Sequence, residues 1–192
     1  MALTWLARRL TNAGLRVGEV DGWRTAGRPG AFAPQGVLIH HTAGARSSRD
    51  NPAPSLSTVI NGRSDLPGPL CQVLVDYNGV CWVVAAGRTN NAGAARASGP
   101  LPATSDGNAL YVGIEIDYRV NPDGSFDQHP SAVQKSASIV AAAAIVTRLG
   151  NGYRYVRGHK ETSVTNKIDP KFLMPMPDFR DEVRKMIAVK GF

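Results

Sequence analysis

Cysteine is scarce in this 192-residue chain, with only two, Cys71 and Cys81, too few for the disulfide framework of a small secreted domain. Long apolar runs are missing too. The longest uncharged, mainly apolar stretch, Ser136 to Thr147, falls short of the ~18–20 residues of a membrane span. No hydrophobic core follows a basic start at the N-terminus, where Met1-Ala2-Leu3-Thr4-Trp5-Leu6-Ala7 runs straight into Arg8-Arg9, so no secretory signal is expected. Lysine is absent from residues 1–98, which carry 10 Arg against 5 acids; residues 99–192 carry 12 Lys+Arg against 10 acids. The net charge of +7 is thus spread along the chain and not gathered into an arm. Aromatics are 7% of residues and are not interleaved with the basic ones, which argues against nucleic acid as a partner. A positive field steers equally well toward an anionic polymer such as a bacterial wall.

What is present is ordinary globular material, 43% apolar and 19% charged, enough for one domain with its own core. Leu3, Leu6 and Leu10 at helical spacing, with Gly14 as a stop, predict an N-terminal helix. Gly36-Val37-Leu38-Ile39 reads as a buried strand ending at His40-His41-Thr42, and Pro54 to Asn61 as a short helix closed by Gly62. Asn78-Gly79 between alternating apolar stretches predicts a hairpin over about Leu70 to Ala85. With Tyr77 opposite Val80, Cys81 would face Asp76, and Cys71 would lie roughly 16 Å away, beyond the ~7 Å reach of a disulfide. Both are therefore expected to be buried free thiols.

Residues 87–109 read as a long functional loop. Tyr111 to Tyr118 is a strand with Val112, Ile114 and Ile116 on one face and Gly113, Glu115 and Asp117 on the other. Ser131 to Leu149 is the longest helix. Tyr153 to Arg157 is a short strand leading to Gly158-His159, and Lys160 to Pro177 is irregular. A last amphipathic helix covers about 178–188. The expectation is a single α/β domain over 1–192, its core about 1–175, with a central mixed sheet flanked by helices. No separate wall-binding domain is expected.

Three of the four histidines sit at strand ends, where a rigid element delivers a side chain to a cleft. Asp169 lies ten residues beyond His159, with Lys167 beside it. Two neutral imidazoles and a carboxylate make a hydrolytic zinc site with one position open. His159, Asp169 and one of His40 or His41 could form it, and the sequence does not separate that pair. Glu115, interrupting an apolar strand, is the acid/base candidate, and Lys167 the charge stabiliser. Each has a plainer reading: a structural histidine, a solvated strand face, an ordinary loop ion pair. His129, before Pro130 and a helix start, has no partner nearby.

Gly36-Val37-Leu38-Ile39-His40-His41-Thr42-Ala43, Val112-Gly113-Ile114-Glu115, and Gly158-His159 through Lys167-Ile168-Asp169-Pro170 together resemble the type-2 zinc N-acetylmuramoyl-L-alanine amidases. That family includes peptidoglycan recognition proteins and phage endolysins. With its opening helix and Val20-Asp21-Gly22-Trp23, the chain looks like the endolysin branch from actinobacterial phages. The resemblance implies zinc on His40, His159 and Asp169, with the site in a surface groove at the strand ends. It implies Glu115 as catalytic acid/base and Lys167 near the scissile carbonyl. Where relatives carry Asn-His-Ala-Gly, this chain has Asn90-Asn91-Ala92-Gly93, so Asn90 and Asn91, with His41, are the substrate-binding candidates. The implied activity is cleavage of peptidoglycan between N-acetylmuramic acid and L-alanine during host cell lysis. A monomer made in the host cytoplasm without a signal peptide, acting on the cell wall, would perform it. A non-catalytic peptidoglycan recognition module is the alternative.

Overall fold

A computed structural model describes residues 1–192. In chain order the elements are α1 Leu6–Asn12, β1 Arg16–Glu19, β2 Gly36–His41, α2 Leu56–Asn61, β3 Gly62–Arg63, β4 Leu66–Pro67, β5 Val73–Val75, β6 Val80–Val83, β7 Tyr111–Ile116, α3 Ala132–Arg148, β8 Val156–Gly158, α4 His159–Thr162 and α5 Met176–Lys190. Six strands form one mixed sheet in the order β1-β6-β5-β7-β2-β8, with β3 and β4 as a separate small ribbon. Every neighbour pair in the large sheet is parallel except β5–β6. This is the α/β domain with a central mixed sheet that the sequence predicts.

The alternation read in the sequence decides what covers each face. Val37, Ile39, Val112, Ile114 and Ile116 point into the main core, together with Leu3, Leu6 and Leu10, the alanines of α3, and Phe179 and Val183 of α5. The opposite face carries Leu38, His40, Gly113 and Glu115, and is covered by α2 and by loops instead of long helices. Alanine dominates α3 because Ala141, Ala142, Ala143 and Ala144 are all fully buried, where small side chains let the helix approach its neighbours closely. The helix starts on a capping box: Ser131 Oγ accepts from Gln134 N at 3.1 Å, and Ser131 N donates to Gln134 Oε1 at 2.8 Å.

Four local expectations change. Asp76, not Tyr77, faces Val80, and Val75 faces Cys81. The hairpin loop is therefore three residues, Tyr77-Asn78-Gly79, with Gly79 at φ +75°, the left-handed position that a three-residue loop needs. Asp76 Oδ1 accepts from both Asn78 N and Val80 N at 2.9 Å, and this selects the longer loop. Tyr153–Tyr155 is a 3-10 turn, because β8 pairs with β2 only from Val156 onward; the two tyrosines pack sideways on the core. The stretch after Gly158 opens with α4, whose Glu161 carboxylate accepts from Gly158 N and pairs with Arg157 and Arg180. Strands β1, β3 and β4 are additions; Arg16-Val17-Gly18-Glu19 lies at the sheet edge and lacks a buried alternation.

Cys71 and Cys81 are both buried and free, and burial pushes both thiols up, Cys81 to about 12. No helix is long and apolar enough to cross a membrane. Two outcomes are expected. A thiol reagent should label neither cysteine in the native protein and both in denaturant. Ser131→Ala should lower unfolding stability by about 1 kcal/mol in urea titrations.

Candidate functional site

The site grows from strand register. β2 and β7 pair with His40 beside Glu115 and His41 beside Ile116, so alternation puts His40 and Glu115 on the loop-covered face. β8 pairs with β2 as far as Ile39 beside Gly158. The next residue, His159, therefore arrives next to His40, with ring centroids 4.6 Å apart at 67°. The chain then loops back and delivers Asp169, whose carbonyl accepts from Lys160 N at 2.7 Å, while Lys160 Nζ donates to Pro170 O at 2.9 Å. Asn166 and Phe172, bracketing this turn, hold left-handed φ of 56° and 58°, and such non-glycine positions cost of order 1–3 kcal/mol each.

Asp169 Oδ2 lies 2.8 Å from His40 Nδ1 and 3.1 Å from His159 Nδ1. All three residues are buried, with their ligand atoms within 4.8 Å of one another. Bonds of ~2.0–2.1 Å to a tetrahedral ion put ligand atoms ~3.3 Å apart; the two histidine–aspartate spacings lie just under that value, and the third pair is within 4.8 Å. Burial holds the His40 imidazole's pKa down against the pull of its Asp169 bond. For Asp169, burial pushes upward, but the bonds from His159 and His40 outweigh it and hold the carboxyl well below its usual range. A neutral imidazole and an ionised carboxylate are the forms that ligate metal. Donor set, spacing and protonation all fit a divalent ion.

These groups open into a cleft of about 530 Å³ that also takes in Glu115, Lys167, His41, Asn90 and Asn91. Every residue singled out from the sequence therefore borders one space. Glu115 is half-buried, and its Oε2 is fully enclosed without a hydrogen-bond partner. Burial raises its pKa well above the carboxylate norm; Asp169 and Asp117 add to the rise, and Arg63 and Lys167 oppose it. Asp117, two residues on, differs in kind: Thr42 Oγ1, Ser55 N and Ser55 Oγ all donate to it at 2.7–2.9 Å. His41 also borders the cleft but packs against Tyr118, and its Nδ1 accepts from Lys171 N at 2.9 Å; burial lowers its pKa to about 4.

Sequence reasoning missed two contributors. Asn108 Oδ1 accepts from the amides of Asn91 and Ala92 at 2.8 and 2.7 Å and so shapes the 90–93 loop. Arg63, on the β3–β4 ribbon, borders the cleft and pairs with Asp65. A Gly-Arg-Ser-Asp turn was the only signal for Arg63, and none marked Asn108. Gly113 lets the 90–93 loop lie close over β7: a Cβ there would stand 3.0 Å from Asn91 Cγ and press on that side chain.

Residues 30–172, which contain every one of these site residues, match the family model described as N-acetylmuramoyl-L-alanine amidase. The chain belongs to that amidase family. Among curated proteins none matches it significantly. Solved structures share its fold at low identity. One is the endolysin N-acetylmuramoyl-L-alanine amidase LysCS from Clostridium intestinale, at 17% identity and TM-score 0.58, covering 88% of this chain and 95% of that one. A second is the Staphylococcus aureus hydrolase AmiA, at 16% and 0.61, covering 92% and 84%. A third is Pseudomonas aeruginosa AmpDh3, solved with anhydromuramic pentapeptide, at 20% and 0.62, covering 84% and 64%.

The amidase should bind one zinc ion per chain in calorimetric titration. His40→Ala, His159→Ala or Asp169→Ala should each weaken binding by at least ~100-fold, because each removes one of the three groups whose donor atoms converge. His41→Ala should leave the stoichiometry unchanged.

Proposed function

We propose that this family member is a zinc-dependent N-acetylmuramoyl-L-alanine amidase of the phage endolysin type, hydrolysing the amide between N-acetylmuramic acid and L-alanine of bacterial peptidoglycan. The observation that carries the reading is the meeting of His40 Nδ1, His159 Nδ1 and Asp169 Oδ2 beside a carboxylate oxygen with no partner of its own. A module that only binds wall fragments needs neither, which favours a catalyst over a recognition domain. The endolysin reading draws on the likeness to LysCS.

When bound, zinc supplies a water of lowered pKa and a Lewis acid for the scissile carbonyl. The Glu115 carboxylate accepts the proton of the attacking water and passes it to the nitrogen of L-alanine as the C–N bond breaks; burial, which raises its pKa, favours the proton uptake. The Lys167 ammonium faces the oxygen on which negative charge develops. His41, with Nδ1 taken by the Lys171 amide, has Nε2–H left to donate toward substrate. Asn91 spends its Nδ2 on Thr89 Oγ1 at 2.8 Å, and its enclosed Oδ1 lies against Gly113, so this side chain shapes the cleft wall over β7. Asn90 is tied to Pro67 O and frames that wall.

The test is digestion of purified peptidoglycan with and without a chelator, assaying newly freed L-alanine amino groups. Chelation should abolish release and zinc restore it; new reducing sugars instead would mean glycosidase chemistry. Glu115→Gln should bind zinc normally yet lose about 10²–10⁴-fold in kcat. Lys167→Ala should lose about 10²-fold through the unscreened oxyanion.

A further inference from the structure

The helix-covered side of the sheet, away from the cleft, carries a second concavity. It lies between α1 and the end of α3, holds about 170 Å³, and is lined by Trp5, Arg8, Arg9, Asn12 and Arg148. Trp5, Arg8, Arg9 and Asn12 are spaced three and four apart, so one face of α1 presents them together. Arg148 comes from the last turn of α3. Three guanidiniums and an amide thus converge with no carboxylate among them. Other arginines of the chain are neutralised: Arg88 has Asp106, and Arg157 and Arg180 share Glu161. Two guanidiniums of the hollow are held in place. Arg9 Nε donates to Ala144 O at 2.9 Å and its Nη2 to Thr147 Oγ1 at 3.0 Å, with its guanidinium 5.0 Å from the centre of the Phe192 ring. That of Arg148 lies 5.3 Å over the Trp5 ring. Burial, and after it the charge of Arg148, lowers the pKa of Arg9, and no acid acts against them. Like charges gathered without a counter-charge repel one another, and an anion between them removes that cost.

We propose that the hollow formed by Trp5, Arg8, Arg9, Asn12 and Arg148 binds a phosphoryl group, and that the group belongs to an anionic phosphodiester polymer lying in the cell wall. The wall location rests on the amidase reading above; the phosphoryl site does not. Guanidinium forks match phosphate oxygens two at a time, and Asn12 adds a neutral donor. The rim favours a polymer over a lipid surface. Arg8, Asn12 and Arg148 are exposed, while the one apolar lining residue, Trp5, is half-buried; a protein that lies on a bilayer presents apolar side chains for insertion. The cleft opens on the loop-covered face of the sheet and α1 and α3 cover the other, so both sites can be filled at once. A polymer held at α1 keeps the amidase on the wall and leaves the cleft open to its substrate.

The experiment titrates end-labelled poly(glycerol phosphate) with the zinc-loaded full chain and follows fluorescence anisotropy at fixed ionic strength. Arg8→Gln combined with Arg148→Gln, two exposed positions, should weaken binding about tenfold or more. Arg49→Gln combined with Arg154→Gln removes the same charge from exposed positions elsewhere and should change binding less than about twofold. Inorganic phosphate should displace the polymer from the parent chain, and chloride at the same ionic strength should not. Both double variants should release L-alanine amino groups from a soluble muramoyl-peptide at the parent rate. Equal losses of polymer binding in the two double variants, displacement by chloride as readily as by phosphate, or binding to phosphatidylglycerol vesicles without binding to the polymer would overturn the assignment. Failure of the parent chain to release those amino groups would instead defeat the amidase reading, and the anisotropy titration would still decide the phosphoryl site.

Discussion

The parallel pairing of β2 with β7 is the constraint on which the rest depends. Its register sets His40 beside Glu115, and its pleat separates an apolar face, sealed beneath α3, from a polar face left to loops. A one-residue slip of β2 would turn its faces over, sending His40 into the alanine-rich core and lifting Ile39 into the cleft, and the same slip of β7 would do so with Glu115 and Ile114. The apolar burial that stabilises the sheet thus also enforces the geometry of the site, because the two alternatives differ by an entire hydrophobic face.

Two carboxylates, Glu115 on β7 and Asp117 just past its end, have opposite fates. Asp117 accepts three hydrogen bonds and ties the end of β2 to the start of α2. Glu115 has an enclosed oxygen with no bond at all. A buried, unsatisfied carboxylate oxygen costs of order 1–3 kcal/mol or more, and this one persists beside the converging side chains of His40, His159 and Asp169. The left-handed Asn166 and Phe172 around Asp169 belong to the same pattern: strain is concentrated in the loop that delivers the ligand, and the helices and main sheet stay regular.

The cleft follows from the same construction. One side is the loop after β6 together with the β3–β4 ribbon; the other is the return that delivers Asp169, set against the segment after β7, and the two meet over His40, His159 and Asp169.

Much of this was legible in the chain itself. The alternation Val112-Gly113-Ile114-Glu115-Ile116 fixes which way Glu115 points, Leu3-Leu6-Leu10 marks α1, and the offset of Cys71 from Cys81 keeps them unpaired even though the hairpin register is one residue away from the simplest pairing. These are short-range effects of side-chain period and backbone preference. What only the tertiary structure decided was which histidine of the pair meets Asp169, that Arg63 and Asn108 reach the cleft, and that Tyr153–Tyr155 turns instead of extending. Each depends on pairing between segments tens of residues apart, and local periodicity carries no information about which strands become neighbours or in what register.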